Sequence, residues 1–137
     1  MRTLAAFLLA AAPAVAQQSP LTFEAGKALQ LANGQWSHFA TADGSIAMFG
    51  TQIQLRCERA TRTVVITRPN TAPAALTIAT DTITRIIAPS GRLPATDPLL
   101  DAIAFSRGRF IVSGGTGPTV AVPSWPEAAR SIEDCRN

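Results

Sequence analysis

The sequence predicts a mainly β (α+β) domain: a small antiparallel β barrel or sandwich of about eight strands, with one short helix, a C-terminal helix and one disulfide. Three observations carry that expectation. From Trp36 to Ala88, short runs rich in Val, Ile and Thr are punctuated by Gly, Pro, Asp and Asn, and β-branched side chains suit a pleated, half-buried surface. After Ser124 the apolar spacing changes to that of a helix. Two cysteines, Cys57 and Cys135, fall on the apolar side of their respective elements, where a structural disulfide would form.

The first hairpin is expected from residues 36–41 and 45–51 around Asp43-Gly44, a pair that tolerates positive φ. Residues 52–58 and 63–68 follow, joined by a polar turn, and 75–80 pairs with 82–88 beyond a loop bracketed by Pro69 and Pro73. Residues 89–96 read as a loop. Asp97-Pro98 opens a short helix, because Asp caps free amides and Pro fits the first helical position. Its core face is Leu99, Ala102, Ile103 and Ser106, and Gly108 ends it. Residues 109–113 and 119–122 form a last hairpin across the glycine-rich stretch Gly114 to Pro118. That stretch lacks the Gly-Lys-Ser/Thr ending of a phosphate loop.

The C-terminal helix is announced by Ser124-Trp125-Pro126-Glu127, which reads as a capping box. Trp125, Ala128, Ala129, Ile132 and Cys135 then make one apolar stripe. The stripe would carry Cys135 over Cys57 and close a ring of about 80 residues, worth roughly 4–5 kcal/mol in the chain-entropy model.

The N-terminus reads as an export signal over residues 1–16: Arg2, an apolar core from Leu4 to Ala12, and Ala14-Val15-Ala16 before cleavage near Ala16-Gln17. This places the mature protein in the periplasm or outside the cell, with no membrane span. Residues 17–34 form a poorly ordered lead-in, and 35–137 a single β-rich domain. The formal charge of +3 falls to about +2 when Arg2 leaves. The basic residues are dispersed and the chain contains no Tyr, so nucleic acid is not a predicted partner.

Chemistry is sparse. His38 is the single histidine and sits in a strand in alternation with Trp36, as a packed or rim residue. One His and two paired cysteines supply no metal-ligand set, so neither a metal nor another cofactor is expected. No catalytic residues are assigned. Most carboxylates have structural duties: Asp43 in a turn, Asp97 at a cap, Glu127 in the capping box, Asp101 in a first helical turn. The segment Ser106-Arg107-Gly108-Arg109 stands apart. Two arginines flank a glycine at a helix-to-strand junction, between Phe105 and Phe110. Such a corner suits a carboxylate or phosphate, since arginine bonds either through two parallel N–H groups. Ser106, Arg107 and Arg109 are therefore the candidate binding residues. The competing reading has Arg107 capping the helix or pairing with Asp101 or Asp134, Gly108 left-handed and Arg109 in solvent.

Leu100-Asp101-Ala102-Ile103-Ala104-Phe105-Ser106-Arg107-Gly108-Arg109-Phe110, with Pro123-Ser124-Trp125-Pro126-Glu127 and Ile132-Glu133-Asp134-Cys135-Arg136, resembles a family of small exported proteins of Gram-negative bacteria without an assigned activity. Ala47-Met48-Phe49-Gly50 and Leu55-Arg56-Cys57 fit the same pattern. The resemblance implies a shared fold and disulfide. Ser90-Gly91 also resembles the loop that periplasmic inhibitors of c-type lysozyme insert into the enzyme cleft, although the Tyr and Lys-Gly elements that accompany it there are absent. The function expected is a non-enzymatic periplasmic binding or protein-interaction module, its partner an envelope protein or a small anionic ligand. An enzyme inhibitor is the alternative, and a small hydrolase the third reading.

Overall fold

Alternation along the strands decides which side chains meet in the interior. In the computed structural model, which describes residues 22–137, nine strands form two antiparallel sheets. The expected signal segment and its cleavage point lie outside the described residues. The first sheet has the order β1 (Trp36–Ala40), β2 (Gly44–Phe49), β3 (Ile53–Glu58), β4 (Thr63–Thr67) and β7 (Arg92–Pro94). The second has the order β6 (Thr84–Ile87), β5 (Leu76–Ala79), β8 (Arg109–Gly114) and β9 (Val120–Pro123). The two sheets do not close on each other, so the architecture is a sandwich.

Ala47, Phe49, Ile53, Leu55, Cys57, Val64 and Ile66 point inward from the first sheet and meet Leu76, Ile78, Phe110, Val112 and Val122 of the second. Trp36 joins the two layers. Its ring packs on Phe49 and Phe110, and its Nε1 donates to the Pro123 carbonyl at 2.8 Å. A smaller cluster of Ala79, Ile111 and Ala121 lies on the other face of the second sheet, under Phe23 and Leu29.

Helix α2 (Pro98–Phe105) starts as its sequence dictates. The Asp97 carboxylate accepts from the Leu99 amide at 2.9 Å, and Pro98 occupies the first turn. Leu99, Leu100, Ala102 and Ile103 are buried; Leu100 widens the face expected from periodicity alone. Helix α3 (Pro126–Asp134) lies on β1, β2 and β3 and beside α2. The disulfide joins Cys57 of β3 to Cys135 at the end of α3, with Cα atoms 5.5 Å apart.

Four local expectations are corrected. The capping box does not form: Trp125 is the N-cap, with no side-chain cap bond, and both Ser124 Oγ and Glu127 Oε2 are without partners. Pro126 takes the first helical position, which moves the helix start one residue along and leaves Trp125 46% exposed. The buried stripe is Ala128, Ser131, Ile132 and Cys135. At the first hairpin, Gly44 sits inside β2 and not at a positive-φ turn; a Cβ there would collide with the Cys57 carbonyl. Close backbone approach therefore explains that glycine, while Thr41 closes the turn through its Oγ1 bond to the Gly44 amide at 3.0 Å. Finally, residues 89–96 contain a strand. In β7 only Leu93 faces the core, and Pro94 is tolerated because β7 is an edge.

Residues 22–34 also make specific contacts. Helix α1 (Phe23–Gly26) is capped by Thr22 Oγ1 and packs on β8. Leu31 forms a parallel bridge with Ala121, and the Ala32 amide donates to the Ala121 carbonyl at 2.8 Å, so this segment extends along the open side of β9.

Candidate functional site

The Ser106-Arg107-Gly108-Arg109 corner is made where α2 stops and β8 begins. Ser106 turns extended at the helix end, and Gly108 adopts φ 73°. The buried Ser106 hydroxyl donates to the Arg109 carbonyl at 2.6 Å and accepts from the Asp81 amide at 3.1 Å. Its hydrogen-bonding capacity is thus used in shaping the corner. Arg107 is 92% exposed in its side chain, and its Nε is 3.8 Å from Asp81, so it pairs with neither Asp101 nor Asp134. Asp101 instead meets Arg136 at 2.8 Å. Arg109 does not extend freely into solvent. Its Nη1 donates to the carbonyls of Gly26 at 3.2 Å, Lys27 at 3.5 Å and Leu29 at 2.6 Å, which anchors α1 to the corner.

These contacts frame a cleft of about 390 Å³ lined by Phe23, Glu24, Lys27, Asp81, Thr82, Arg107 and Arg109. Lys27 pairs with Glu24 at 2.9 Å, and Arg107 faces Asp81 across a longer gap. Arg109 has no carboxylate within ion-pairing distance among the described residues, and its partners are neutral carbonyls. The cleft therefore carries one positive charge in excess. The sequence pointed to both arginines but not to Lys27, whose segment approaches only through tertiary contact.

His38 is packed, as expected, with its side chain 11% exposed and its Nε2 3.0 Å from Asp134 Oδ2. The neighbouring Ser45 hydroxyl is the main cause that holds the Asp134 carboxyl below the ordinary carboxylate range; burial opposes it, and His38 and Arg59 reinforce it. Ser45 Oγ and Ser131 Oγ are hydrogen-bonded at 3.0 Å. In this cluster the acid lies between the serines and the histidine, whereas nucleophilic catalysis needs the histidine between serine and acid. Ser45 and Ser131 are also 1% and 0% exposed, closed to a substrate.

Ser90-Gly91 forms a tight turn laid against β4. The Gly91 amide donates to Ala88 at 2.9 Å, and its carbonyl accepts from Ile66 at 2.8 Å. Among the described residues no group of three or more His, Cys, Asp or Glu side chains is placed to hold a metal ion. No helix among them is long and apolar enough to cross a membrane. No protein-family model matches the chain, and comparison with curated proteins and with solved structures yields no match.

Proposed function

We propose that this protein is an exported, non-enzymatic binding module that holds a small anionic ligand in the cleft of Lys27, Arg107 and Arg109. The uncompensated positive charge of Arg109 carries the reading. Its Nη1 is committed to the backbone carbonyls of Gly26, Lys27 and Leu29, so the guanidinium is held in place before a ligand arrives, and preorganised donors lose little entropy on binding. Arg107 is exposed to solvent and holds Asp81 only at 3.8 Å, so a ligand oxygen can replace that long contact. Phe23 offers an apolar wall beside these charges. The Cys57–Cys135 bond is compatible with an oxidising compartment, and the signal pattern of residues 1–16 supports export to the periplasm or beyond.

Titration of the labelled protein with succinate and with inorganic phosphate tests this reading. Saturable amide shifts should appear at Lys27, Thr82, Arg107 and Arg109, and weaken as salt is added. Arg107→Ala should lower affinity at least five-fold with no change in thermal midpoint, since that side chain is 92% exposed. Absence of saturable shifts with either anion, or an unchanged affinity in Arg107→Ala, would defeat the proposal.

A further inference from the structure

Arg68 is the only charged side chain among the described residues that is fully buried, at 5% exposure. It leaves the end of β4 toward the turn between β8 and β9. There Nη1 donates to the Gly114 carbonyl at 3.2 Å, and Nη2 to the Pro118 carbonyl at 2.7 Å and Gln52 Oε1 at 3.5 Å. All three acceptors are neutral. Arg56, Arg85, Arg92, Arg107 and Arg136 each face a carboxylate, but Arg68 has none within ion-pairing distance among the described residues. Burial lowers its pKa from the ordinary value, yet an arginine stays protonated in a protein. The charge is thus fixed and without a counter-ion.

The glycine-rich turn is shaped around this side chain. A Cβ on Gly117 would stand 2.6 Å from Arg68 Cζ, so the glycine makes room for the guanidinium. Two carbonyls could be tied by a neutral amide at a lower desolvation cost. What a guanidinium adds is charge and further N–H groups, and the Arg68 Nε–H has no partner among the described residues. Arg68 borders a cleft of about 320 Å³ whose walls include Thr71 and Ser90 and whose apolar surface includes Ile66, Pro73 and Leu76. None of its lining residues belongs to the Lys27–Arg107–Arg109 cleft.

We propose that this second cleft binds the carboxylate of a compact, largely apolar organic acid, with Arg68 as the counter-ion. The apolar walls favour a hydrophobic body over a bare inorganic anion. At about 30 Å³ per water-sized unit the volume admits roughly ten non-hydrogen atoms, the size of an aromatic acid such as benzoate. The Ser90 hydroxyl, which accepts a long bond from the Arg92 amide at 3.4 Å, keeps its proton to donate to a carboxylate oxygen.

Benzoate, its neutral twin benzamide and inorganic phosphate are the probes, each titrated into isotope-labelled protein. Benzoate should give saturable shifts at the Arg68 Nε–H and at the Ser90 and Gly115 amides, with benzamide and phosphate at least ten-fold weaker. Arg68→Gln should reduce benzoate affinity at least ten-fold. Because that change also touches the β8–β9 turn, Ala74→Phe provides a variant that fills the cleft and leaves Arg68 in place; it should abolish the same shifts. Equal binding of benzamide or phosphate, benzoate shifts confined to Lys27, Arg107 and Arg109, or full benzoate affinity in Ala74→Phe would overturn the assignment. The two clefts are read at different amides, so either proposal can fail without the other.

Discussion

Opening the Cys57–Cys135 ring should cost a large share of the stability that a domain of this size possesses. The bonded residues are separated by 78 positions, for which the chain-entropy expression gives ~4.5 kcal/mol at room temperature. Both sulfurs are fully buried, so replacing both cysteines with alanine also leaves a small void, worth about 1 kcal/mol. The helix retains Ala128, Ser131 and Ile132 against the sheet and does not detach. A total loss of about 4–6 kcal/mol compares with about 5–15 kcal/mol for ordinary domains. Urea unfolding of the oxidised protein, the reduced protein and Cys57→Ala/Cys135→Ala measures it. The slope m should rise when the ring opens, because the unfolded chain expands. Reduced protein and double variant should agree within about 1 kcal/mol, the difference reporting the void. A loss below about 1.5 kcal/mol with unchanged m would show that the ring does not restrain the unfolded chain, and the entropic account would fall.

Other changes separate effects that the fold combines. Gly44→Ala should destabilise by about 1–3 kcal/mol through the clash with the Cys57 carbonyl, visible as a lower thermal midpoint; an unchanged midpoint would mean that β2 and β3 can part freely. Asp97→Asn keeps an oxygen for the Leu99 amide but loses the charge facing Arg85, whose side chain is 41% exposed, so about 0.5–1 kcal/mol should go, with Asp97→Ala losing about 1 kcal/mol more. The Arg85 guanidinium holds the Asp97 carboxyl below its ordinary 3.8. That contribution is complete above 3.8 and lost as pH falls through the lower folded value. Urea midpoints of wild type and Asp97→Asn should therefore converge in acid, and a gap that widened there would contradict the pairing. Arg109→Ala removes three bonds to the carbonyls of Gly26, Lys27 and Leu29 at and after the end of α1; hydrogen exchange should quicken at residues 26–29 while core amides keep their protection, and uniform quickening would instead assign Arg109 a global role.

What could be read from the chain was whatever a few neighbouring residues decide. Val64, Ile66 and Cys57 alternate strongly enough to declare their strands, and Asp97-Pro98 marks a helix start because cap and first turn are local. Leu93 escaped because one inward residue between two exposed ones carries no period. Ser124 and Glu127 matched a cap by spacing, but Pro126 shifted the start by one residue. Gly44 looked like a turn residue until β3 was laid beside it. Arg107 and Arg109 stood out by adjacency, and the structure brings Lys27 to them from far along the chain. Arg68 gave almost no local signal at the end of its strand. The hint lay in Gly117, a vacancy in side-chain volume whose reason is visible only when Arg68 fills it.

The bridge between Leu31 and Ala121 bears on how copies of this protein avoid one another. A strand with a free side invites pairing with an identical strand of another molecule, and crowded or partly unfolded populations start fibrous growth there. Here the chain supplies its own short partner to β9, and α1 holds it through Arg109. The segment of residues 22–32 thus acts as a guard against intermolecular strand addition. Trimming it would expose β9 and uncover the Ala79, Ile111 and Ala121 cluster beneath Phe23 and Leu29 at once, so the solubility of shortened variants depends on this stretch.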